Sequence, residues 1–115
     1  MLEISDEEII LNELNNKNNW HSLCIDFKLS EEIMKQFEDK LYWDVIANFQ
    51  KLSEEFIEEF RDKVDWFYVS IYQQLSEKFI IKFASRVNWD MIFLYQRLPL
   101  NSVNRLKEMI RIGGM

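Results

Sequence analysis

The chain contains few residues of the types that interrupt helices or cross-link a polypeptide. Its 115 residues include two glycines, one proline and one cysteine. Both glycines, Gly113 and Gly114, are near the C-terminal end, and Pro99 is the sole proline. Residues 1–98 therefore contain no strong breaker, which argues against an interdomain linker and against tight β-hairpin turns. We expect a single domain over residues 1–115.

The residues needed for catalysis are also scarce. His21 is the only histidine and Cys24 the only cysteine, whereas a structural zinc site needs four such ligands. A Cys–His nucleophile needs an orienting third group, which nothing in the sequence supplies. Two glycines at the end of the chain cannot form a phosphate-binding loop. We therefore expect a protein that is not an enzyme, with no catalytic residue, no metal site and no cofactor.

Long apolar stretches are absent as well. The hydrophobic runs are only a few residues long, which is too short to span a membrane. The N-terminal stretch is acidic and interrupted by polar residues, unlike a secretory signal. A lone cysteine cannot form an intramolecular disulfide, which favours a reducing compartment. These features predict a cytoplasmic protein with no membrane partner.

What the chain does contain is an internal repeat of 23 residues. All four tryptophans share one frame at this spacing: Trp20, Trp43, Trp66 and Trp89. A leucine column keeps the same frame: Leu29, Leu52, Leu75 and Leu98. The frame divides the chain into units 6–28, 29–51, 52–74 and 75–97, followed by a partial unit 98–115. Self-similarity at a fixed period of this length is typical of stacked repeat architectures.

Each unit has the pattern of two short helices joined by a tight turn. In residues 52–74, apolar side chains recur at helical spacing, and Ser53 and Asp65 are favoured N-cap residues. We expect a first helix of about ten residues and a second of about eight, each too short to be stable alone. A glutamine ends each second helix and is expected to bond helix-end carbonyls: Gln50, Gln73 and Gln96. The sequence thus predicts an all-α fold, a short α-solenoid of tandem 23-residue helix-turn-helix repeats.

Both ends of the array have the features of terminal capping units. Asn18 and Asp26 in the first unit stand where the third unit has Val64 and Tyr72. These changes make the first unit polar, as a terminal repeat requires. At the other end, Gly113 is expected to end the last helix in the left-handed conformation.

The segment LSEEFIEEFRDKVDWFYVSIYQ, residues 52–73, resembles a tandem helical-hairpin repeat in proteins of phages, giant DNA viruses and low-GC bacteria. The specific elements are Leu-Ser-Glu-Glu-Phe-Ile at 52–57 and Asp-Trp at 65–66, and the resemblance extends over nearly the whole chain. It implies a viral or mobile-element protein acting in a bacterial or infected host cell. It implies no catalytic residue.

Columns that vary between repeats are candidates for binding, because the constant columns are those that stacking requires. Six apolar residues at varying positions of the second helices form the predicted partner-binding set: Phe67, Tyr68, Ile71, Met91, Phe93 and Leu94. If exposed, they are typical of a protein–protein interface. A homodimer contact and a plain core role remain alternatives.

Charge is unevenly distributed along the chain. Residues 1–65 contain 17 acidic and 7 basic residues, whereas residues 66–115 contain 3 and 7. Five acids are predicted to share one helix face: Glu54, Glu55, Glu58, Glu59 and Asp62. Such a face suits a basic groove, including one in a nucleic-acid-handling complex; a solvated helix surface is the alternative. An isoelectric point near 4.8 and the lack of a reader motif disfavour direct nucleic-acid binding.

Taken together, these patterns predict a non-enzymatic protein–protein interaction module. The narrower hypothesis is a phage or mobile-element inhibitor of a host defence nuclease, of the anti-CRISPR type. The alternatives are a structural or self-associating repeat protein and a binder of single-stranded nucleic acid, which exposed aromatic residues would favour.

Overall fold

The computed structural model describes residues 2–4 and 20–113 of the chain. In this part of the chain two strands and eight helices follow in order: β1 (Leu2–Ile4), α1 (Trp20–Asp26), β2 (Phe27–Leu29), α2 (Glu31–Gln36), α3 (Trp43–Phe49), α4 (Glu54–Glu59), α5 (Trp66–Tyr72), α6 (Glu77–Lys82), α7 (Trp89–Tyr95) and α8 (Leu100–Arg111). The predicted all-α fold class of helix-turn-helix repeats is confirmed. None of the described helices is long and apolar enough to cross a membrane.

The chain divides into two compact units, which we call the first unit (Met1–Val64) and the second unit (Asp65–Met115) to distinguish them from the 23-residue repeats. The division falls inside the predicted repeat 52–74, between its first and second helices. The 23-residue period itself is regular in both units, since the helices beginning at Glu31, Glu54 and Glu77 are equally spaced. A single domain over residues 1–115 remains a prediction.

Side-chain caps set the N-terminal boundaries of five of the described helices. Ser30, Ser53 and Ser76 each accept a hydrogen bond from the backbone N–H three residues later. Asp65 and Asn88 cap α5 and α7 in the same way. These caps satisfy N–H groups that a helix cannot satisfy internally. The predicted start signals at these serine, aspartate and asparagine residues are therefore confirmed, whereas α3 begins after Tyr42 without a side-chain cap.

The first helices are shorter than predicted. They have six residues each, because the chain leaves the helical conformation at a phenylalanine, with φ −113° at Phe37 and −105° at Phe60. Hydrogen-bonded turns follow, as from the Lys63 N–H to the Phe60 carbonyl at 2.9 Å. Apolar periodicity continues through these turns, which explains why the sequence overestimates the helix length.

An aromatic cluster between the second helix of one repeat and the first helix of the next is built the same way in both units. The Trp43 ring lies 6.1 Å from Phe56 and 5.2 Å from Phe60. In the second unit the Trp66 ring lies 6.2 Å from Phe79 and 5.3 Å from Phe83. The phenylalanines are buried, whereas these two tryptophans are only partly buried. These two tryptophans therefore lie at the edge of the core, whereas Trp20 in the same column is 3% exposed.

Glutamines at the ends of second helices join neighbouring repeats. Gln50, 3% exposed, donates to the Cys24 carbonyl at 2.7 Å and the Phe27 carbonyl at 2.6 Å, and accepts from the Leu29 N–H at 2.9 Å. Gln96 makes the same three contacts 46 residues later, to Ser70, Gln73 and Leu75. The predicted bonds to helix-end carbonyls are thus confirmed for these two glutamines.

The first helices of neighbouring repeats are linked where Glu31 binds Ser53, but the last helix, α8, is linked to α6 by a different pair. Pro99 occupies the register of Ser30, Ser53 and Ser76 but has neither a hydroxyl nor an N–H. Glu77 consequently binds Arg105, with nitrogen–oxygen distances of 2.8 and 2.6 Å. Hydrogen bonds from Arg105 and Ser102 lower the pKa of Glu77 to about 2. Gly113, at φ +86°, follows the end of α8 as predicted.

One pairing was not expected from the sequence. β1 and β2 form a parallel two-stranded sheet in which Leu2 is opposite Phe27 and Ile4 is opposite Leu29. Strands of three residues are too short to show the alternation that predicts a strand. The first helix of the predicted unit 6–28 falls within residues 6–19 and lies outside the described residues.

Candidate interaction surfaces

Helix α5, with the sequence WFYVSIY, contains no charged residue. Val69 and Ser70 are buried on one side. On the opposite side Phe67 is 44% and Tyr72 52% exposed, and the predicted residues Tyr68 and Ile71 are partly exposed between them. At about 100° per residue these four side chains share the outer half of the helix. Charged side chains keep an exposed helix side soluble, and this side has none. Its exposed aromatic residues therefore need another explanation.

Helix α7 packs beside α5 and continues this surface. Leu94 is 68% and Tyr95 57% exposed, and Met91 is partly exposed beside them. Asp90, at the register position of Phe67, is the only charged residue of α7. We call the outward side chains of these two helices the apolar face: Phe67, Tyr68, Ile71, Tyr72, Met91, Leu94 and Tyr95. It includes five of the six predicted partner-binding residues.

The sixth, Phe93, lies on a different side of α7. It stands one turn after Trp89, with the two rings 5.7 Å apart, and Lys107 Nζ is 5.5 Å from its ring centroid. Its register counterpart is Ser70, which is buried and accepts a hydrogen bond from the Asn88 N–H. The structure thus places Phe93 against the last helix and away from the apolar face.

Two residues of the apolar face, Tyr72 and Tyr95, were not predicted. They belong to an aromatic column that recurs in the second helices, with Phe49 in the first unit 38% exposed. Constant columns were assigned to stacking, yet this one is exposed in every described copy. The missed signal is angular: three residues turn a helix by only about 300°, so Trp66, Val69 and Tyr72 drift around it. A repeated exposed aromatic is not required by the core.

Ring contacts order the aromatic side chains of α5 before any partner binds. Tyr68 and Tyr72 have centroids 6.2 Å apart and nearly parallel planes. Phe67 meets Tyr68 edge to face at 5.2 Å. Aromatic side chains have only two χ angles, and neighbouring rings restrict them further, so little conformational entropy is lost on binding.

The predicted acidic face is present on α4. Glu54, Glu55, Glu58 and Glu59 lie on the side opposite Phe56 and Ile57, and Asp62 is exposed in the turn that follows. Part of this charge is neutralised, because Lys35 Nζ lies 3.2 Å from the Glu59 carboxylate. The acidic face is accordingly less negative than its composition indicates.

Acids beside that face have structural partners. Glu31 accepts hydrogen bonds from the N–H and hydroxyl of Ser53 at 2.7 and 2.9 Å. Lys63 Nζ lies 3.2 Å from Glu38 and 3.5 Å from Asp39, and the Glu38 hydrogen bond raises the pKa of Lys63. These three acids stabilise contacts between successive first helices and their turns.

Several basic residues of the second unit are also engaged. Arg105 binds Glu77 and Arg111 binds Glu108. Lys107 and Lys82 lie over the rings of Phe93 and Phe83 respectively. A surface for nucleic acid needs clustered positive charge that is available to phosphates, and ion pairing reduces that availability here.

Cys24 and His21 share α1 but not an environment. Cys24 is fully buried, and burial raises the pKa of its thiol. His21 is exposed, with its ring 5.0 Å from that of Tyr42. Within residues 2–4 and 20–113, no three metal-ligating side chains are grouped together.

A cleft of about 340 Å³ in the first unit is lined by Trp20, Asp39, Lys40, Leu41 and Tyr42. The Trp20 indole N–H has no hydrogen-bond partner among the described residues. In Trp43 and Trp89 this N–H donates to the carbonyl five residues earlier. The corresponding position, residue 15, lies outside the described residues.

The apolar face is the feature that the packing of the described residues leaves unexplained. Its side chains are aromatic or aliphatic, outward-facing and repeated, while the charged residues around α2, α4 and α8 largely have partners within the chain. Comparison of the chain with protein-family models, curated proteins and solved structures finds no match.

Proposed function

We propose that this chain is a non-enzymatic protein-interaction module that binds a protein chain through the apolar face. The observation that carries the proposal is the exposed aromatic column on the second helices, one of which, α5, has no charged residue. Tyrosine and methionine at such positions are typical of protein interfaces. Aromatic residues are also the usual energetic anchors of binding.

The size of the apolar face is consistent with this role. Taking about 200 Å² for each large side chain, the exposed fractions of its four protruding residues amount to about 400 Å². The largest apolar patch of a monomeric protein is about 300–600 Å² and is often functional. Burying 400 Å² contributes about 10 kcal/mol, which is comparable to the estimated cost of association of about 4–15 kcal/mol. A binding partner must therefore supply matching contacts of its own.

The test is affinity capture from a lysate of the source organism with three baits. The wild-type chain and the control Leu100→Asp, which alters an apolar residue 74% exposed on α8, are expected to retain the same partner. The double variant Tyr72→Asp/Leu94→Asp is expected to lose it. Circular dichroism melts of all three baits verify equal folding. A partner retained equally by all three baits would place binding elsewhere on the chain.

The narrower proposal is a phage or mobile-element inhibitor of a host defence nuclease, of the anti-CRISPR type. It is supported by the acidic face on α4, which suits a basic nucleic-acid channel. Inhibition should weaken with added salt, and Glu55→Lys should reduce it because Glu55 is exposed on this face. Unchanged nuclease activity at a large excess of the chain would remove this narrower proposal.

A second candidate function is single-stranded nucleic-acid binding, favoured by the exposed rings of Tyr72 and Tyr95. Bases stack on such rings. Fluorescence polarisation of a labelled oligonucleotide at low salt decides it, because phosphate contacts are strongest there. No change in polarisation under these conditions would eliminate this function.

A further inference from the structure

The side chains of the apolar face differ in how far they are exposed, and this pattern indicates what covers the face. Phe67, Tyr72, Leu94 and Tyr95 protrude, with 44–68% of each side chain exposed. Tyr68, Ile71 and Met91 are lower and partly covered, and form a floor between them. A surface with both protrusions and a floor of the same chemistry can pack against itself, with the protrusions of one copy on the floor of the other.

On this basis we infer that the protein bound by the apolar face is a second copy of this chain, joined about a two-fold axis through helices α5 and α7. The inference rests on the proposed function and specifies its partner. The two helices contribute the same residues from each copy, as an isologous interface requires.

The charge of the face favours a second copy. Residues 66–115, which include α5 and α7, contain 3 acidic and 7 basic residues, so the charged surfaces of this part of two copies repel each other. Helix α5 has no charged residue, and α7 has Asp90 alone. Two copies that meet here therefore bring one charged residue each from these helices, Asp90, at the register position of Phe67. A basic partner would instead be attracted to the acidic face on α4.

The area also fits a dimer. Two faces of about 400 Å² bury about 800 Å² from the protruding side chains alone, and specific interfaces bury about 1,200–2,000 Å² in total. The partly exposed residues Tyr68, Ile71 and Met91 and the surroundings of the face must supply the remaining area. An apolar centre inside a polar rim is the usual anatomy of such an interface.

Sedimentation velocity of the purified chain, across concentrations from low micromolar to about a millimolar, tests the inference. We expect the mass to approach twice 14.1 kDa and the dimer to persist or tighten with added salt, since screening reduces the repulsion between two acidic copies. Leu94→Asp is expected to weaken the dimer at least about 100-fold, because it buries a charge without a partner.

The matched control is Leu100→Asp, the same substitution at an exposed leucine on α8; it should leave the dimer unchanged. A monomer at all concentrations, or a dimer that tolerates Leu94→Asp, would overturn the inference. A monomeric chain that captures a different protein, lost with Leu94→Asp, would overturn the second copy but leave the proposed function intact. A monomer that captures nothing would remove both.

Discussion

The contact most open to a quantitative test is the set of hydrogen bonds made by the buried amide of Gln50. Replacing Gln50 with methionine keeps the volume of the side chain nearly constant, so no large cavity opens. It leaves the Leu29 N–H and the carbonyls of Cys24 and Phe27 without the partner they have in the folded chain. All three groups are buried or partly buried, and water can satisfy them only if the repeats separate.

The magnitude follows from the cost of unpaired groups. Each buried backbone group without a partner costs about 1–3 kcal/mol, so three groups amount to roughly 3–6 kcal/mol after partial relaxation. Typical domains have about 5–15 kcal/mol of total stability. With a urea dependence of about 1–3 kcal/mol per molar, the unfolding midpoint should fall by at least about 1 M. The Leu29 amide should exchange with solvent at least about 100-fold faster.

Urea unfolding followed by tryptophan fluorescence, with amide exchange read by NMR, measures both quantities. Gln36→Met is the matched control, because Gln36 is an exposed glutamine on α2; we expect it to shift the midpoint very little. If Gln50→Met shifted the midpoint no more than Gln36→Met, the amide would not be what joins the repeats. The interpretation of Gln96, which makes the same contacts, would then fail as well.

Two further predictions concern the aromatic cluster and the last helix. Trp43→Ala should destabilise the first unit by about 3–5 kcal/mol, since Trp43 packs on Phe56 and donates to the Glu38 carbonyl; calorimetry should show no comparable loss for Glu55→Ala. The Glu77–Arg105 pair should stabilise the second unit at pH values above 4.5, the ordinary pKa of the carboxyl group. This stabilisation should be lost as the pH falls toward about 2, the pKa of Glu77 in the folded chain. Melting curves of wild type and Glu77→Gln should therefore differ at pH 6 and converge near pH 2, and a difference independent of pH would contradict this assignment.

Much of the fold could be predicted from the sequence because its signals are local. Ser53 and Asp65 are followed by the N–H groups that they cap, and a tryptophan every 23 residues sets the register of the repeats. The β1–β2 pair could not be predicted, because it joins segments more than 20 residues apart that are too short to show a periodic pattern.

The candidate surface was predicted only in part. The 23-residue period shows which residues occupy equivalent positions in the repeats, but it does not show whether their side chains face the core or the solvent. Phe93 varies between repeats as a binding residue would, yet it faces Trp89 and Lys107. Tyr72 and Tyr95 recur as core residues do, yet they are more than half exposed. Repetition alone therefore does not separate what the stack needs from what a partner needs. Assigning each residue to the inner or outer half of its helix does.

Pro99 stands where the three preceding repeats have a serine, and this difference affects where the chain can gain or lose a repeat. The link between Glu31 and Ser53 lies wholly within residues 31–53, so a copied block of 23 residues carries its own connection with it. At Pro99 that connection cannot form, and Arg105 provides another. Duplication or loss of an internal block should therefore preserve the packing at each junction, whereas α8 fits only where the array stops. A junction of the Glu31–Ser53 type therefore cannot form between Glu77 and Pro99.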